Sequence, residues 1–210
     1  MARHGYSVRL PLLPGHGTTW KDMAGTTWER WFAVDRDAVR ELRKRCDRVF
    51  VFGLSMGGTL ALRLAEELGE DVAGVVLVNP SVHTEDRRAP FAKYLQYVLP
   101  SLPAIGNDIK KPGVNEHAYD RVPVKSVVQL QRLWDVVRSD IERITQPVLL
   151  CVSAEDHVVE PSNAQWLVEN IGSSDLASLV MQDSYHVATL DNDAEKLFAT
   201  ALQFVQRLEH

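Results

Sequence analysis

The chain has 210 residues, of which 45% are hydrophobic and 24% are charged, and its formal net charge is −5. This composition is typical of one globular domain that buries a sizeable core, and its acidic balance gives no indication of a nucleic-acid partner. No apolar run approaches the roughly 18 residues that span a bilayer, and the N-terminus lacks an apolar leader, so we expect a cytoplasmic protein without a membrane span.

The first predicted elements lie before residue 21. Met1–His4 are typical of the last turn of a helix, Gly5 of the left-handed residue that ends it, and Tyr6–Leu10 of a short strand. A loop rich in proline and glycine follows from Pro11 to Trp20. Its histidine, His16, either lines a pocket or shapes the loop, and the second role is favoured because loop residues mostly lie at the surface.

A helix is predicted next. Thr26 and Glu29 have the spacing of a capping box, in which each side chain bonds the backbone N–H at the other position. Apolar residues from Trp28 to Leu42 then recur near the helical period, which predicts an amphipathic helix.

The segment around Ser55 predicts a reactive serine. An apolar run, Val49–Phe52, is followed by the pattern Gly-x-Ser-x-Gly and then by a helical pattern that ends near Leu68. Such a strand turns sharply into a helix, which strains the serine backbone and lifts its hydroxyl out of the sheet. We expect Gly53 and Gly57 to be required as small residues, because larger side chains at these two positions would clash with the turn. The alternative is a serine that merely caps a glycine-rich turn.

Three further strands are predicted after this helix. They are Val72–Val78, Pro147–Val152 and Ser178–Gln182, and helices are predicted at Ser162–Ile171 and Asp193–Leu208. Continuous apolar strands that alternate with helices indicate a parallel sheet flanked by helices, which is an α/β fold.

The stretch between the second and third of these four core strands is too long for an ordinary connection. It contains amphipathic segments around Phe91–Leu99 and Lys125–Val137. We expect a helical cap insertion at residues 81–146, laid over a core formed by residues 1–80 and 147–210.

A nucleophilic serine needs a base to accept its proton and a carboxylate to orient that base. Asp156 and His186 each follow the carboxyl end of a predicted strand, where open parallel sheets place their sites. The sequence therefore predicts a Ser55, Asp156 and His186 triad. The rival acids and bases are neighbours of these residues: Glu155, His157, Asp183, Asp191 and Asp193.

Three segments together resemble one family. Gly53–Gly58, Ser153–Val159 and Asp183–Asp191 are similar to the serine turn, acid loop and histidine loop of bacterial carboxylesterases related to monoacylglycerol lipases, within the α/β-hydrolase superfamily. The Leu-Pro-Gly-His-Gly run within Pro11–Gly17 is also similar to a loop of these enzymes. The resemblance implies an α/β-hydrolase fold and ester hydrolysis through an acyl-enzyme, with no metal and no cofactor. It also implies that the backbone N–H of Met56 donates to the oxyanion.

The chain departs from this family at its N-terminus. The resemblance implies about three more strands before this chain begins, the third ending in a His-Gly motif that supplies a second oxyanion donor. A chain without that donor would lose roughly 10²–10³ in rate. The expected form is therefore an N-terminally truncated α/β-hydrolase.

Two functions follow from these observations. The first is a serine carboxylesterase acting on small to medium acyl esters, monoacylglycerols included, with a cap whose apolar side chains hold the acyl chain: Leu130, Leu133, Trp134 and Val137. The second is a catalytically impaired or silent α/β-hydrolase fragment that acts as a binding protein. The sequence leaves the oligomeric state and the choice among esterase, thioesterase and peptidase open.

Overall fold

The structure, a computed structural model, describes residues 1–209 and has a parallel sheet at its centre. In chain order the helices and strands are α1 (Trp20–Met23), α2 (Trp28–Arg43), β1 (Phe50–Leu54), α3 (Met56–Leu68), β2 (Gly74–Val78), α4 (Ala92–Leu95), β3 (Ser101–Pro103), β4 (Arg121–Pro123), α5 (Val124–Asp140), β5 (Val148–Ser153), α6 (Ser162–Asn170), β6 (Leu176–Met181) and α7 (Ala194–Arg207).

The main sheet has the strand order β1-β2-β5-β6, and all its neighbours pair in parallel. Every residue of β2 is buried, because helices cover both faces of the sheet at this strand. The carboxyl ends of all four strands meet at one edge. The predicted α/β fold, with a parallel sheet flanked by helices, is confirmed.

Two apolar cores flank the sheet. On one face, Val75 and Leu77 of β2 pack with side chains from α2, α3, α5 and α6. On the other face, Val76 and Val78 pack with α7. This alternation follows from the two-residue period of a strand. None of the helices in residues 1–209 is long and apolar enough to cross a bilayer, and the cytoplasmic location stays a prediction.

The insertion contains more than helices. Its strands β3 and β4 form an antiparallel pair, and a small apolar cluster joins α4 to the start of α5. The rest of α5 belongs to the main core, where Leu133 and Val137 are 0% exposed. The second half of the insertion is thus packed as part of the body of the protein.

Two local predictions are wrong. Tyr6–Leu10 forms no strand, and Leu10 is 94% exposed, because no neighbouring strand bonds this segment in the described chain. Thr26 is not the cap of α2, which begins one residue later with Thr27 at the N-cap. The Thr26 hydroxyl instead accepts a hydrogen bond from Trp31 Nε1 at 2.9 Å and donates to the Met23 carbonyl. Its side chain therefore fastens the loop before α2 to the core.

A buried carboxyl on α3 makes stability depend on pH. Glu66 is 3% exposed, and burial raises its pKa from an ordinary value of 4.5 to about 8, against the lowering effect of Arg63. The folded chain therefore holds a proton that the unfolded chain releases between these two values. Its free energy of unfolding falls as pH rises through that window.

We expect Glu66→Gln to remove this slope. Between pH 5 and pH 8.5 the difference in unfolding free energy between wild type and Glu66→Gln should change by at least about 1.4 kcal/mol, which corresponds to one pKa unit. Urea unfolding at both pH values measures it. Glu67→Gln is the matched control, because Glu67 lies on the same helix with a side chain 31% exposed, and it should keep the wild-type slope. Parallel slopes for wild type and Glu66→Gln would contradict the prediction.

Candidate active site

Ser55 lies at the junction of β1 and α3 with φ of 54° and ψ of −121°. A positive φ is uncommon for a residue with a side chain and costs on the order of 1–3 kcal/mol. The carbonyl of Ser55 accepts hydrogen bonds from the N–H groups of Gly58, Thr59 and Ser81, which hold the turn. The strained strand-to-helix turn expected from the sequence is therefore present.

Only one of the two expected glycine constraints is present. A Cβ on Gly53 would lie 2.1 Å from the carbonyl oxygen of Gly57, so no side chain fits at Gly53. A Cβ on Gly57 would meet no atom within 4 Å, and the expectation that Gly57 must be small is wrong. The second tight position is Gly58, whose Cβ would lie 2.8 Å from Pro80 Cβ. The lack of space at Gly53 and Gly58 comes from the close packing of α3 against the ends of β1 and β2.

We expect Gly53→Ala to lose several kcal/mol of stability, since the clash is with backbone that cannot move without opening the turn. Gly57→Ala is the control and should change stability by less than about 1 kcal/mol, because the added methyl enters open space on a helix. Thermal unfolding of both variants measures the difference. Equal midpoints would show that the turn has another shape.

The second part of the site joins two loops that follow neighbouring strands. His186 Nδ1 lies 2.8 Å from Asp156 Oδ2, and both side chains are nearly buried, with 8% and 7% exposed. Asp156 follows β5 and His186 follows β6, so the parallel sheet brings them together.

Asp156 is held in its ionised form. Burial by itself raises the pKa of a carboxyl, but the hydrogen bond and the charge of His186 oppose it, as do the N–H groups of Val158 and Val159, each 2.8 Å from Oδ1. The pKa of Asp156 is lowered as a result. An ionised carboxylate at Nδ1 keeps the proton of a neutral imidazole on that nitrogen, so that Nε2 is free to accept one.

The backbone of His186 is also fixed. Asn79, which follows β2, donates from Nδ2 to the His186 carbonyl at 2.8 Å, and its Oδ1 accepts from the Ser153 N–H at 2.8 Å. Ser153 Oγ donates to the Tyr185 carbonyl. Sequence reasoning assigned no role to Asn79 or Ser153, although their places at strand ends could have suggested one.

The rival residues have other partners. His157 bonds Asp108, and Glu155 is half exposed with Lys110 and His157 beside it. Asp191 and Asp193 accept backbone and hydroxyl hydrogen bonds within the histidine loop, and Asp183 pairs with Lys110. His16 packs edge-on against Trp31 at 5.9 Å between ring centroids.

The expected acyl-binding residues divide into two pairs. Leu133 and Val137 are 0% exposed within the main core, so neither side chain faces open space, and they differ from the expectation. Leu130 and Trp134, on the same helix, are half-buried. At 100° per residue the four positions fall within one stripe about 100° wide on α5, and Leu133 and Val137 lie on the side of that stripe that packs into the main core.

Two features bear on chemistry at Ser55. Met56 is the first residue of α3, so its N–H has no partner within the helix and lies at the positive end of the dipole. Among the hydrogen bonds of residues 1–209, the ring of His186 bonds Asp156, and none joins it to Ser55 Oγ. Within the same residues, no three His, Cys, Asp or Glu side chains are grouped to hold a metal ion.

The fold and this site define an α/β-hydrolase of the serine hydrolase class. The family model described as serine aminopeptidase, S33, matches residues 1–193, and the chain belongs to that family. The resemblance predicted from the sequence is confirmed.

The names of similar proteins agree with this family assignment. The chain is 42% identical over 204 residues to a thermostable monoacylglycerol lipase of Bacillus sp. (strain H-257), covering 97% of this chain and 80% of that protein. It is 21% identical to a carboxylesterase of Bacillus subtilis (strain 168), covering 98% of this chain and 83% of that protein. A solved structure from work on LipS and LipT, two metagenome-derived lipolytic enzymes, superposes with a TM-score of 0.94 at 39% identity, covering 98% of this chain and 84% of that one. The protein is thus a carboxylic ester hydrolase.

Proposed function

We propose that this protein is a serine carboxylesterase that cleaves small to medium acyl esters, monoacylglycerols included, through an acyl-enzyme on Ser55. One observation carries the proposal: the buried His186 and Asp156 pair lies on the loops after β5 and β6, at the same sheet edge as the strained Ser55 turn. These are the three positions at which this architecture holds its catalytic groups.

In this mechanism each residue has one role. His186 Nε2 takes the proton of Ser55 Oγ as the oxygen attacks the ester carbonyl, and Asp156 stabilises the imidazolium that forms. The N–H of Met56 donates to the oxyanion of the tetrahedral intermediate. His186 then returns the proton to the leaving alcohol, and water repeats the sequence to release the acid.

The substrate class rests on the insertion and on the relatives. The segment before α5 exposes several large apolar side chains: Phe91, Tyr94, Tyr97, Val98 and Ile105. An apolar surface of this kind suits an acyl chain better than a peptide. We propose that Leu130 and Trp134 of α5 contact that chain, and that the preference includes monoglycerides, as the name of the 42% identical relative suggests.

Labelling with a fluorophosphonate tests the proposal. The reagent captures only an activated serine, so wild type should label with one equivalent, and Ser55→Ala should not label. Hydrolysis of p-nitrophenyl esters from acetate to laurate, and of a monoacylglycerol, then defines the acyl preference.

The alternative is a catalytically silent protein that binds a ligand. It predicts a folded chain, by circular dichroism, that neither labels nor hydrolyses any ester above the Ser55→Ala background. That result would overturn the proposed function.

A further inference from the structure

One side chain of the insertion reaches both of the loops that carry the acid and the base. Asp108 lies between β3 and β4, and its side chain is 11% exposed. Its Oδ2 accepts the backbone N–H of His186 at 3.1 Å and the N–H of His157 at 3.2 Å. Its Oδ1 lies 2.8 Å from His157 Nδ1. One carboxylate thus bridges the acid loop and the histidine loop.

The neighbouring backbone strengthens this bridge. The Asp108 carbonyl accepts the Val187 N–H at 3.1 Å. The N–H groups of Lys110 and Lys111 donate to the Asp191 carboxylate at 2.7 and 2.9 Å. Residues 108–111 therefore follow the histidine loop from His186 to Asp191.

The two peptide groups that flank the His186 Cα are held by different segments of the chain. Asn79 of the core binds the carbonyl, and Asp108 of the insertion binds the N–H, while Asp156 fixes the ring at Nδ1. Loss of either backbone contact would leave one peptide group of His186 without this partner and free to shift. A shift of about 1 Å in a catalytic group costs on the order of 10² in rate.

We propose that Asp108 is a positioning residue through which the insertion holds the general base in register with Ser55. The inference rests on the proposed function, because it takes His186 to be that base. The Asp108 carboxylate acts through hydrogen-bond geometry: it fixes the backbone of His186, and His157 orients the carboxylate from the other side. The geometry couples the placement of the insertion to the reactivity of the site.

Three variants of the 210-residue chain test this proposal, with kcat and KM measured on a p-nitrophenyl ester. Asp108→Ala should lower kcat by about 10- to 100-fold and leave KM within about threefold, since the substrate pocket is unchanged. Asp108→Asn should recover most of kcat, because an amide oxygen can accept both N–H groups and its NH₂ can donate to a neutral His157. Asp120→Ala, the matched control, should stay within about threefold of wild type, because Asp120 is an aspartate of the same segment whose side chain is exposed to solvent.

A spectroscopic readout separates positioning from a general loss of structure. The proton on His186 Nδ1 is hydrogen-bonded to the Asp156 carboxylate and should give a low-field proton resonance. Asp108→Ala should shift or broaden this signal, whereas Asp120→Ala should leave it in place. If Asp108→Ala does not fold, Asp108→Ser replaces it, because its short hydroxyl cannot serve both N–H groups.

The outcomes are distinct. An active wild type with Asp108→Ala within threefold of it in kcat would overturn the positioning role. Equal losses in Asp108→Ala and Asp108→Asn would also overturn it, because charge and not hydrogen-bond geometry would then be required. A wild type that neither labels with fluorophosphonate nor turns over ester would instead show that the proposed function itself fails.

Discussion

Ser55→Ala is expected to lower kcat for ester hydrolysis by about 10⁴-fold or more, with the fold retained. In serine hydrolases the loss of the nucleophile removes the covalent route, and only binding and oxyanion stabilisation remain. The position of Ser55 at φ 54° makes this prediction sharper, because the turn exists at a cost in stability that a structural serine would not need. Initial rates on p-nitrophenyl butyrate, beside the wild type, measure the effect.

Ser55→Gly provides the matched control for folding. Glycine adopts a positive φ without the penalty of a Cβ, so the thermal midpoint of Ser55→Gly should exceed that of Ser55→Ala while both stay inactive. Activity retained in either variant would place the nucleophile elsewhere.

Asp156→Asn should reduce kcat by about 10⁴-fold and change KM little. The amide oxygen can still accept the N–H groups of Val158 and Val159, so the acid loop keeps its shape. The amide NH₂ then faces His186 Nδ1 and favours the tautomer whose Nε2 carries the proton, and that nitrogen cannot act as a base. The pH–rate profile, measured beside circular dichroism, gives both the loss and the evidence of folding.

Glu155→Gln is the control that discriminates between the adjacent carboxylates. Glu155 is half exposed, and its carboxylate oxygens lie 3.8 Å from Lys110 Nζ and 3.5 Å from His157 Nε2. Solvent screens such contacts strongly, so we expect kcat within about threefold of wild type. A larger loss in Glu155→Gln than in Asp156→Asn would reverse the assignment of the acid.

The parallel sheet could be predicted because its strands are continuous apolar runs with a clear end. Gly74–Val78 and Val148–Ser153 lie within a residue or two of the expected bounds. Tyr6–Leu10 has the alternating pattern of a half-exposed strand but forms no strand. A strand also needs a neighbour to bond its backbone, and the pattern of one segment does not contain that information. The predicted capping box at Thr26 was wrong for a similar reason. The Thr26 hydroxyl accepts a hydrogen bond from the indole of the buried Trp31, which is a tertiary contact.

In the candidate site, too, the sequence could predict some features and not others. The contact between Asp156 and His186 could be predicted from their places after neighbouring strands, since topology brings those strand ends together. The catalytic roles of Ser55, Asp156 and His186 stay predictions. Asp108 could not be predicted, because it comes from an irregular loop of the insertion whose path depends on tertiary contacts. Leu133 and Val137 have the apolar character of a substrate pocket, yet a helical pattern does not reveal which face meets the core.

The packing of α5 bears on how enzymes of this shape can diverge or be recombined. A chimaera that exchanges residues 81–146 with a relative would replace core side chains, Leu133 and Val137 among them, along with those proposed to contact the acyl chain. Exchange of residues 84–123 alone leaves that packing intact, provided that an aspartate is kept at position 108. Grafts within these narrower boundaries should retain expression and melting temperature while they alter chain-length preference.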